Sequence, residues 1–244
     1  MGNAVRIAMV AGEASGDLLA SHLIAALRAK LPDAVFYGIG GPRMESQGFD
    51  AWWPMEKLSV MGYVDALKNY REISGIRRQL KKRLLEIKPD IFIGVDAPDF
   101  NLGLETGLKS AGIKTIHYVS PSIWAWRGGR IKKIARAVNH VLALFPMEPP
   151  LYEKERIPVT YVGHPLADII PLETSKAVVR EKLAISRDIP VFALLPGSRK
   201  GELEMMAETF VQTAKIIRER YLPNAMFVVP LTTRETRLLF EMAI

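Results

Sequence analysis

The sequence of 244 residues contains no cysteine, which excludes disulfides, thiolate nucleophiles and thiolate metal sites. No apolar run reaches the roughly 18–20 residues that a membrane-spanning helix needs, so we expect no transmembrane segment. The amino-terminal residues lack the basic start, apolar stretch and cleavage site of a signal peptide. The lack of cysteine weakly favours the cytosol. The four histidines are scattered, and none pairs with another at metal-ligand spacing.

The remaining composition is that of a globular protein, with 49% hydrophobic and 24% charged residues. The formal net charge of +7 indicates an anionic partner. Nucleic acid, a phosphorylated substrate and anionic lipid all satisfy that requirement, so charge alone does not choose among them.

Strand-like and helix-like segments alternate along the chain and predict an α/β fold with parallel sheets. Strands are predicted at 5–10, 34–39, 91–95, 115–119, 141–144, 160–162, 191–195 and 226–229. Helices are predicted after residue 17, at about 65–88, 101–110, 176–183 and 202–221, and in a last segment at the end of the chain. A basic helix precedes strand 141–144 and a short helix follows it. The polar stretch 163–175 indicates a linker. We therefore expect one domain at 1–167 and part of a second at 168–244.

In parallel sheets, ligands lie beyond the carboxyl ends of the strands, so the loops that follow strands are the candidate sites. Residues 12–17 let a substrate approach the backbone of a helix N-terminus; alternatively, Ser15 or Asp17 simply caps the helix. Asp96 emerges from the end of strand 91–95 and is a candidate general base for a sugar hydroxyl. Asp99 and Asn101 follow it and also suit the N-cap of the next helix.

Two further loops carry candidate ligand groups. Trp124 and Trp126, in the loop that begins at Ser120, can stack on a sugar or an acyl chain, or pack in the core. Ser198 and Arg199 form a turn whose amides and guanidinium suit a diphosphate, although a capped turn with a surface arginine explains them too. A basic cluster follows the tryptophans and is either a solvated face or a surface for phosphate or lipid headgroups: Arg127, Arg130, Lys132, Lys133 and Arg136.

The histidines add one open case. His22 lies on a helix face and is expected to be structural. His117 lies near the end of a strand, where it either touches substrate or is a core histidine.

Several segments together resemble the lipid A disaccharide synthases. They occur in order at residues 11–17, 41–44, 60–62, 96–101, 117–122, 124–127 and 194–199. The resemblance implies a GT-B fold with two Rossmann-like domains, an acceptor-side domain at 1–167 and an incomplete donor domain for the UDP-sugar at 168–244. It also implies transfer of 2,3-diacylglucosamine from its UDP carrier to 2,3-diacylglucosamine 1-phosphate, with inversion, giving a β-1,6-linked tetraacyl disaccharide 1-phosphate and UDP.

In this family Asp96 matches the proposed base, and Arg199 matches a residue near the UDP phosphates. We expect neither a metal nor another cofactor, and no nucleic acid partner. A homodimer is one compatible arrangement. The residues expected to bind substrate are Glu13, Ser15, Gly16, Asp99, Asn101, Ser120, Trp124, Trp126, Ser198 and Arg199.

Lipid substrates imply peripheral attachment to the cytoplasmic face of the inner membrane. An apolar stretch (Val60, Met61, Tyr63, Val64, Leu67 and Tyr70) precedes basic residues (Arg71, Arg77, Arg78, Lys81 and Lys82), which is typical of an interfacial helix. The same stripe is also compatible with packing on the sheet.

Family members continue beyond residue 244, so we expect a truncated form that is inactive by itself. Two other interpretations of the sequence remain open. One is another UDP-sugar enzyme of this architecture, an epimerase or the peptidoglycan glucosaminyltransferase, although segment 120–127 argues against both. The other is a non-catalytic basic binding module, for which we find no nucleic-acid motif.

Overall fold

The computed structural model describes residues 4–58, 62–123 and 129–244, with side chains from residue 71 onwards in the helix that begins at Gly62. The chain separates into two compact units, Met1–Ile170 and Pro171–Ile244. Each unit is built around its own parallel sheet.

The described part of the first unit holds a seven-stranded parallel sheet in the order β3-β2-β1-β4-β5-β6-β7. Its strands are β1 (Arg6–Ala11), β2 (Val35–Gly40), β3 (Phe49–Pro54), β4 (Ile91–Val95), β5 (Lys114–Tyr118), β6 (His140–Ala143) and β7 (Val159–Tyr161). Its helices are α1 (Ala14–Lys30), α2 (Pro42–Glu45), α3 (Gly62–Ile87), α4 (Pro98–Lys109), α5 (Arg130–Ala137), α6 (Pro149–Lys154) and α7 (Leu166–Ile169).

Strand β1 shows why the sheet is buried on both faces. Ile7 and Met9 pack in one core cluster with α1, whereas Ala8 and Val10 pack in a second cluster with α3 and α4. Successive strand residues point to opposite faces, so a continuous apolar run needs a helical layer on each side. The alternation of strands and helices predicted from the sequence is confirmed.

The structure corrects the prediction at two missed elements and at the starts of two helices. Strand β3 and helix α2 were not predicted, and the first turn of α4 begins at Pro98 rather than near Asn101. Helix α4 has Ala97 as its N-cap, so neither Asp99 nor Asn101 caps it. Likewise Glu13 is the N-cap of α1, so Ser15 and Asp17 do not cap that helix.

The second unit contains α8 (Lys176–Lys182), β8 (Val191–Ala193), α9 (Lys200–Arg220), β9 (Met226–Val228) and α10 (Arg234–Glu241). Strands β8 and β9 pair in parallel, with the rings of Phe192 and Phe227 stacked at 5.5 Å between centroids. Leu203, Ala207 and Val211 repeat every four residues along α9 and bury one face of it together with Phe240 of α10.

Candidate active site

The strand order places a switch point at β1, whose two neighbours are β2 on one side and β4 on the other. The connections after β1 and β4 leave the sheet in opposite directions, and in open α/β sheets ligands bind beyond the carboxyl ends of the strands at such a point. The segments 12–17 and 96–101, both predicted to carry chemistry, follow these two strands.

The two segments touch each other. A Cβ added at Gly12 would lie 3.4 Å from Cβ of Ala97, and one added at Gly16 would lie 3.6 Å from the carbonyl oxygen of Val95. Glycine therefore lets the turn after β1 pack closely against the end of β4. Glu13 is half-buried and Ser15 is exposed at the start of α1, so both stand at the surface of this edge.

Asp96 lies on a strained turn at the same edge. Asp96 and Ala97 have φ of 51° and 43°, a left-handed conformation that costs about 1–2 kcal/mol per residue for L-amino acids. Such strain persists only where the surroundings hold it, and it concentrates at functional sites. The Asp96 amide donates to the Tyr118 carbonyl oxygen at 2.8 Å, and Asn101 Nδ2 donates to the Asp96 carbonyl oxygen at 2.8 Å. The Asp96 residue is half-buried.

Asp99 and Asn101 have different environments although both follow Asp96. Asp99 is exposed, and its carboxylate accepts a hydrogen bond of 2.5 Å from Arg130 of the basic cluster. Asn101 is fully buried, so its side chain supports the Asp96 turn from inside. Lys132, Lys133 and Arg136 remain exposed on α5.

Beneath the turn, Glu105 and His117 form a buried polar pair that was not predicted from the sequence. His117 Nδ1 and Glu105 Oε1 are 2.8 Å apart, and both side chains are fully buried. Burial raises the pKa of the Glu105 carboxyl, which His117 partly offsets. Of the two alternatives for His117, the structure thus gives the core histidine. A glycine at position 94 within the strand was the available signal, because it leaves room for the Glu105 carboxylate.

Ser120 follows β5 and points into the interior. Its hydroxyl lies 2.6 Å from the Tyr152 hydroxyl, and burial raises the pKa of Tyr152 to about 12. Glu148 lies in the same region, where its carboxylate accepts the amides of Leu144 and Phe145 at 3.1 and 3.0 Å. The Ser120 side chain therefore lies inside the protein beneath this edge of the sheet, and not on its surface.

Asp17 supports the neighbouring loop. Its carboxylate is 1% exposed and accepts the backbone amides of Gly41, Arg43 and Met44 at 3.1, 3.0 and 3.0 Å. It therefore caps α2 from another helix. A Cβ at Gly41 would lie 2.7 Å from Asp17 Oδ2, which explains the glycine in this segment without invoking a ligand.

The predicted positions Trp124, Trp126 and Arg127 lie outside the described residues, as do the side chains of the apolar stretch at 60–70. Among the residues that the structure describes, no group of three or more His, Asp or Glu side chains is arranged to hold a metal ion. Within the same residues, no helix is both long and apolar enough to span a bilayer.

In the second unit, Ser198 and Arg199 are exposed on the turn before α9. Their amides donate to Glu202 Oε2 at 2.8 and 3.2 Å, and Arg199 Nη1 lies 3.6 Å from Glu202 Oε1. The hydrogen bond from the Ser198 amide, and next the one from the Arg199 amide, holds the pKa of the Glu202 carboxyl below its ordinary value. The turn thus binds a carboxylate of its own helix through the groups predicted to hold a diphosphate.

A family model described as "Lipid-A-disaccharide synthetase" matches residues 7–243. The chain belongs to this family. It is 84% identical over 244 residues to the lipid-A-disaccharide synthase of Dechloromonas aromatica (strain RCB), and 64% identical over 241 residues to that of Aromatoleum aromaticum. These alignments cover 100% and 99% of the chain but only 64% and 61% of the two relatives.

Solved structures confirm the fold class. UDP-GlcNAc 2-epimerase from Neisseria meningitidis, bound to UDP-GlcNAc, superposes with a TM-score of 0.62 at 14% identity, covering 98% of this chain and 70% of that one. The glycotransferase of kitacinnamycin superposes with a TM-score of 0.52 at 14% identity, covering 93% and 66%. At such identities the likeness shows the α/β fold of the GT-B type alone. The family match, and not the structural likeness, places the chain among the lipid-A-disaccharide synthetases rather than among the epimerases.

Proposed function

We propose that the whole protein to which this chain belongs is the hexosyltransferase of lipid A biosynthesis. It transfers 2,3-diacylglucosamine from UDP to 2,3-diacylglucosamine 1-phosphate and releases UDP. Membership of the family and the shared name of its relatives support this activity. The chain spans 64% of the Dechloromonas relative, so the activity is proposed for the longer protein.

The observation that carries the chemistry is the Asp96 turn. Asp96 is a half-buried residue on a strained turn at the switch point, where its carboxylate is well placed to take the proton of the acceptor 6-hydroxyl. That oxygen attacks the anomeric carbon as UDP departs from the opposite face, so the reaction inverts and needs one base. Such a base contributes roughly 10²–10⁴-fold to the rate.

We assign the donor phosphates to the turn at Ser198 and Arg199. The two amides and the guanidinium that now hold Glu202 are the groups that a diphosphate uses. Binding of the donor then requires that its phosphate oxygens replace the Glu202 carboxylate. Once the donor has replaced Glu202, these fixed cationic and amide groups stabilise the departing diphosphate with no further reorganisation during the reaction.

Acyl chains on both substrates support peripheral attachment to the inner membrane. Arg71, Arg78 and Lys82 are exposed on α3, next to the apolar stretch predicted to insert. Each basic residue close to an anionic surface adds about 1 kcal/mol of binding free energy. These contacts keep the protein where its substrates are.

The test of the base uses a chimera in which residues 1–244 replace the matching part of the Dechloromonas synthase. We expect Asp96→Asn to reduce disaccharide formation by roughly 10²-fold or more, because the side chain keeps its size and loses its basicity. The KM for the UDP donor should stay within about twofold, since the base acts on the acceptor. Exposed Asp33→Asn is the matched control. Normal turnover by the Asp96→Asn chimera would exclude this assignment.

The membrane proposal is tested on the same chimera with vesicles of phosphatidylglycerol and phosphatidylethanolamine. The triple change Arg71→Gln, Arg78→Gln and Lys82→Gln should weaken vesicle binding at least about tenfold at low salt. A control with the same charge loss elsewhere, at Lys30, Lys114 and Lys154, should bind nearly as well as the parent. Equal binding by both triple variants would show that α3 does not face the membrane.

A further inference from the structure

The main chain of Asp96 is held from two sides. Its amide is bound by the carbonyl of Tyr118 on β5, and its carbonyl is bound by Asn101 Nδ2 on α4, each at 2.8 Å. Asn101 Nδ2 also approaches the carbonyl oxygens of Val10 and Val95 at 3.4 and 3.5 Å. The direction of the Asp96 carboxylate therefore depends on how β5 and α4 are placed relative to each other.

The Glu105–His117 hydrogen bond links β5 and α4, the two elements that hold the main chain of Asp96. Glu105 lies four residues after Asn101 and therefore on the same face of α4. His117 immediately precedes Tyr118 on β5 and is in register with Gly94 of β4. The bond of 2.8 Å thus closes a ring of contacts that runs from Asp96 through β5 to α4 and back.

The surroundings are shaped around this ring. A Cβ at Gly94 would lie 2.2 Å from Glu105 Oε1 and 3.0 Å from Asn101 Cγ, so a side chain there would displace both groups. The second oxygen of Glu105 and Nε2 of His117 have no hydrogen-bond partner within the described residues. A buried polar pair that is only partly satisfied costs stability compared with apolar residues of the same volume. Stability alone is thus a poor reason for its presence.

We propose that Glu105 and His117 are positioning residues that tie α4 to β5 and thereby hold the Asp96 turn in the geometry for deprotonating the acceptor. This inference rests on the proposed role of Asp96. Neither residue touches substrate, because both side chains are fully buried. Their effect is on the orientation of the base and not on substrate affinity.

The experiment compares Glu105→Met, which removes the hydrogen bond, with Glu105→Gln, which retains an acceptor for His117. Both are made in the Dechloromonas chimera, and rates are expressed per folded enzyme. We expect Glu105→Met to lower kcat about tenfold or more with KM for both substrates within about twofold. Glu105→Gln should recover most of kcat. The matched control is Thr115→Val, which removes another buried hydrogen bond of β5, to the Ala137 carbonyl, at the opposite end of the strand.

A double-mutant cycle separates positioning from general destabilisation. In the Asp96→Asn background, Glu105→Met should have almost no further effect on kcat, because the base that it positions is gone. His117→Leu breaks the same bond from the other side and should reproduce the result; it decides the question where Glu105→Met does not fold.

The outcomes are distinct. Normal kcat in Glu105→Met and His117→Leu, with Asp96→Asn inactive, would overturn the positioning role and leave the base in place. Full activity of Asp96→Asn would instead overturn the proposed function of Asp96 itself. An equal loss of kcat in Thr115→Val would show that the pair acts only through stability.

Discussion

The two compact units bury their parallel sheets to very different extents. In the first unit, β1 has a strand on each side and helices on both faces, and Ala8, Met9 and Val10 are completely buried. In the second unit, β8 and β9 pair only with each other within the described residues, and Val228 stays 38% exposed. Similar apolar strand sequences therefore end in different environments, because burial is set by the neighbouring strands and helices.

The core of the second unit lies between helices instead. Leu203 of α9 and Phe240 of α10 are nearly inaccessible, whereas Leu195 beyond β8 is 69% exposed. The comparison teaches that an apolar run identifies a strand but does not say how deeply the strand is buried.

Acidic side chains follow the same contrast. Asp17, Glu105 and Glu148 in the first unit are at most 2% exposed, and each accepts hydrogen bonds from fixed partners. Glu202 in the second unit has a side chain that is 35% exposed. Water therefore screens the charge interactions of Glu202, and screens those of the three buried carboxyls much less.

The largest expected difference is in hydrogen exchange of the 244-residue chain. Amides of β1 and β4 should exchange at least about 100-fold more slowly than those of β8 and β9, after correction for intrinsic rates, because local opening is cheapest where few apolar contacts close it. Mass spectrometry of peptides from the four strands measures this directly. Equal protection in both units would show that they unfold as one cooperative body.

Most of the fold could be predicted from the sequence because the first unit has strongly apolar strands. Strand β4 was predicted at its observed bounds, and the other predicted strands differ by one or two residues at one end or by one residue at both ends. Strand β3 was missed because Phe49–Pro54 mixes tryptophans with Asp50 and ends in proline, so it shows no period-2 pattern. Pairing with β2 alone forms this edge strand.

The candidate site could be predicted less completely. Asp96 was singled out because a carboxylate directly follows a buried strand, and its role as the base stays a prediction. The roles of Asp17, Glu105 and Asn101 depend on partners 24, 12 and 5 residues away, which local patterns do not reveal. Pro98 was a usable signal for the start of α4, since proline is favourable at the first helical position.

A smaller difference is expected from removing the carboxylates that accept backbone amides. Asp17→Ala leaves three amides without their acceptor and should lower the free energy of unfolding of the first unit by about 1–3 kcal/mol. Urea unfolding followed by tryptophan fluorescence reports this unit, because all four tryptophans belong to it.

Glu202→Ala leaves the amides of Ser198 and Arg199 to water. The free energy that protects α9 from hydrogen exchange should change by less than about 1 kcal/mol. Asp33→Ala is the matched control in the first unit, because Asp33 is exposed. If Asp17→Ala lowers the free energy of unfolding no more than Asp33→Ala does, a buried carboxylate of the first unit contributes no more than an exposed one.

The smallest expected difference is in the direction of the pH dependence. The pKa of Glu105 is raised by burial from its ordinary value of 4.5, so its favourable contribution is fully present below that value and is lost as pH rises through the raised pKa. The pKa of Glu202 is lowered by the amides of Ser198 and Arg199, so its contribution is present above 4.5 and is lost as pH falls through the lowered pKa. Acidification from neutral pH should therefore first raise the stability of the first unit through Glu105. Below pH 4.5 it should lower the stability of the second unit through Glu202. Urea midpoints by tryptophan fluorescence and exchange protection of α9, each followed from pH 7 down to about pH 3, measure the two trends. Glu105→Gln should flatten the first trend and Glu202→Gln the second, each without altering the other. If either substitution removes both trends, the two carboxyls do not act separately within their own units.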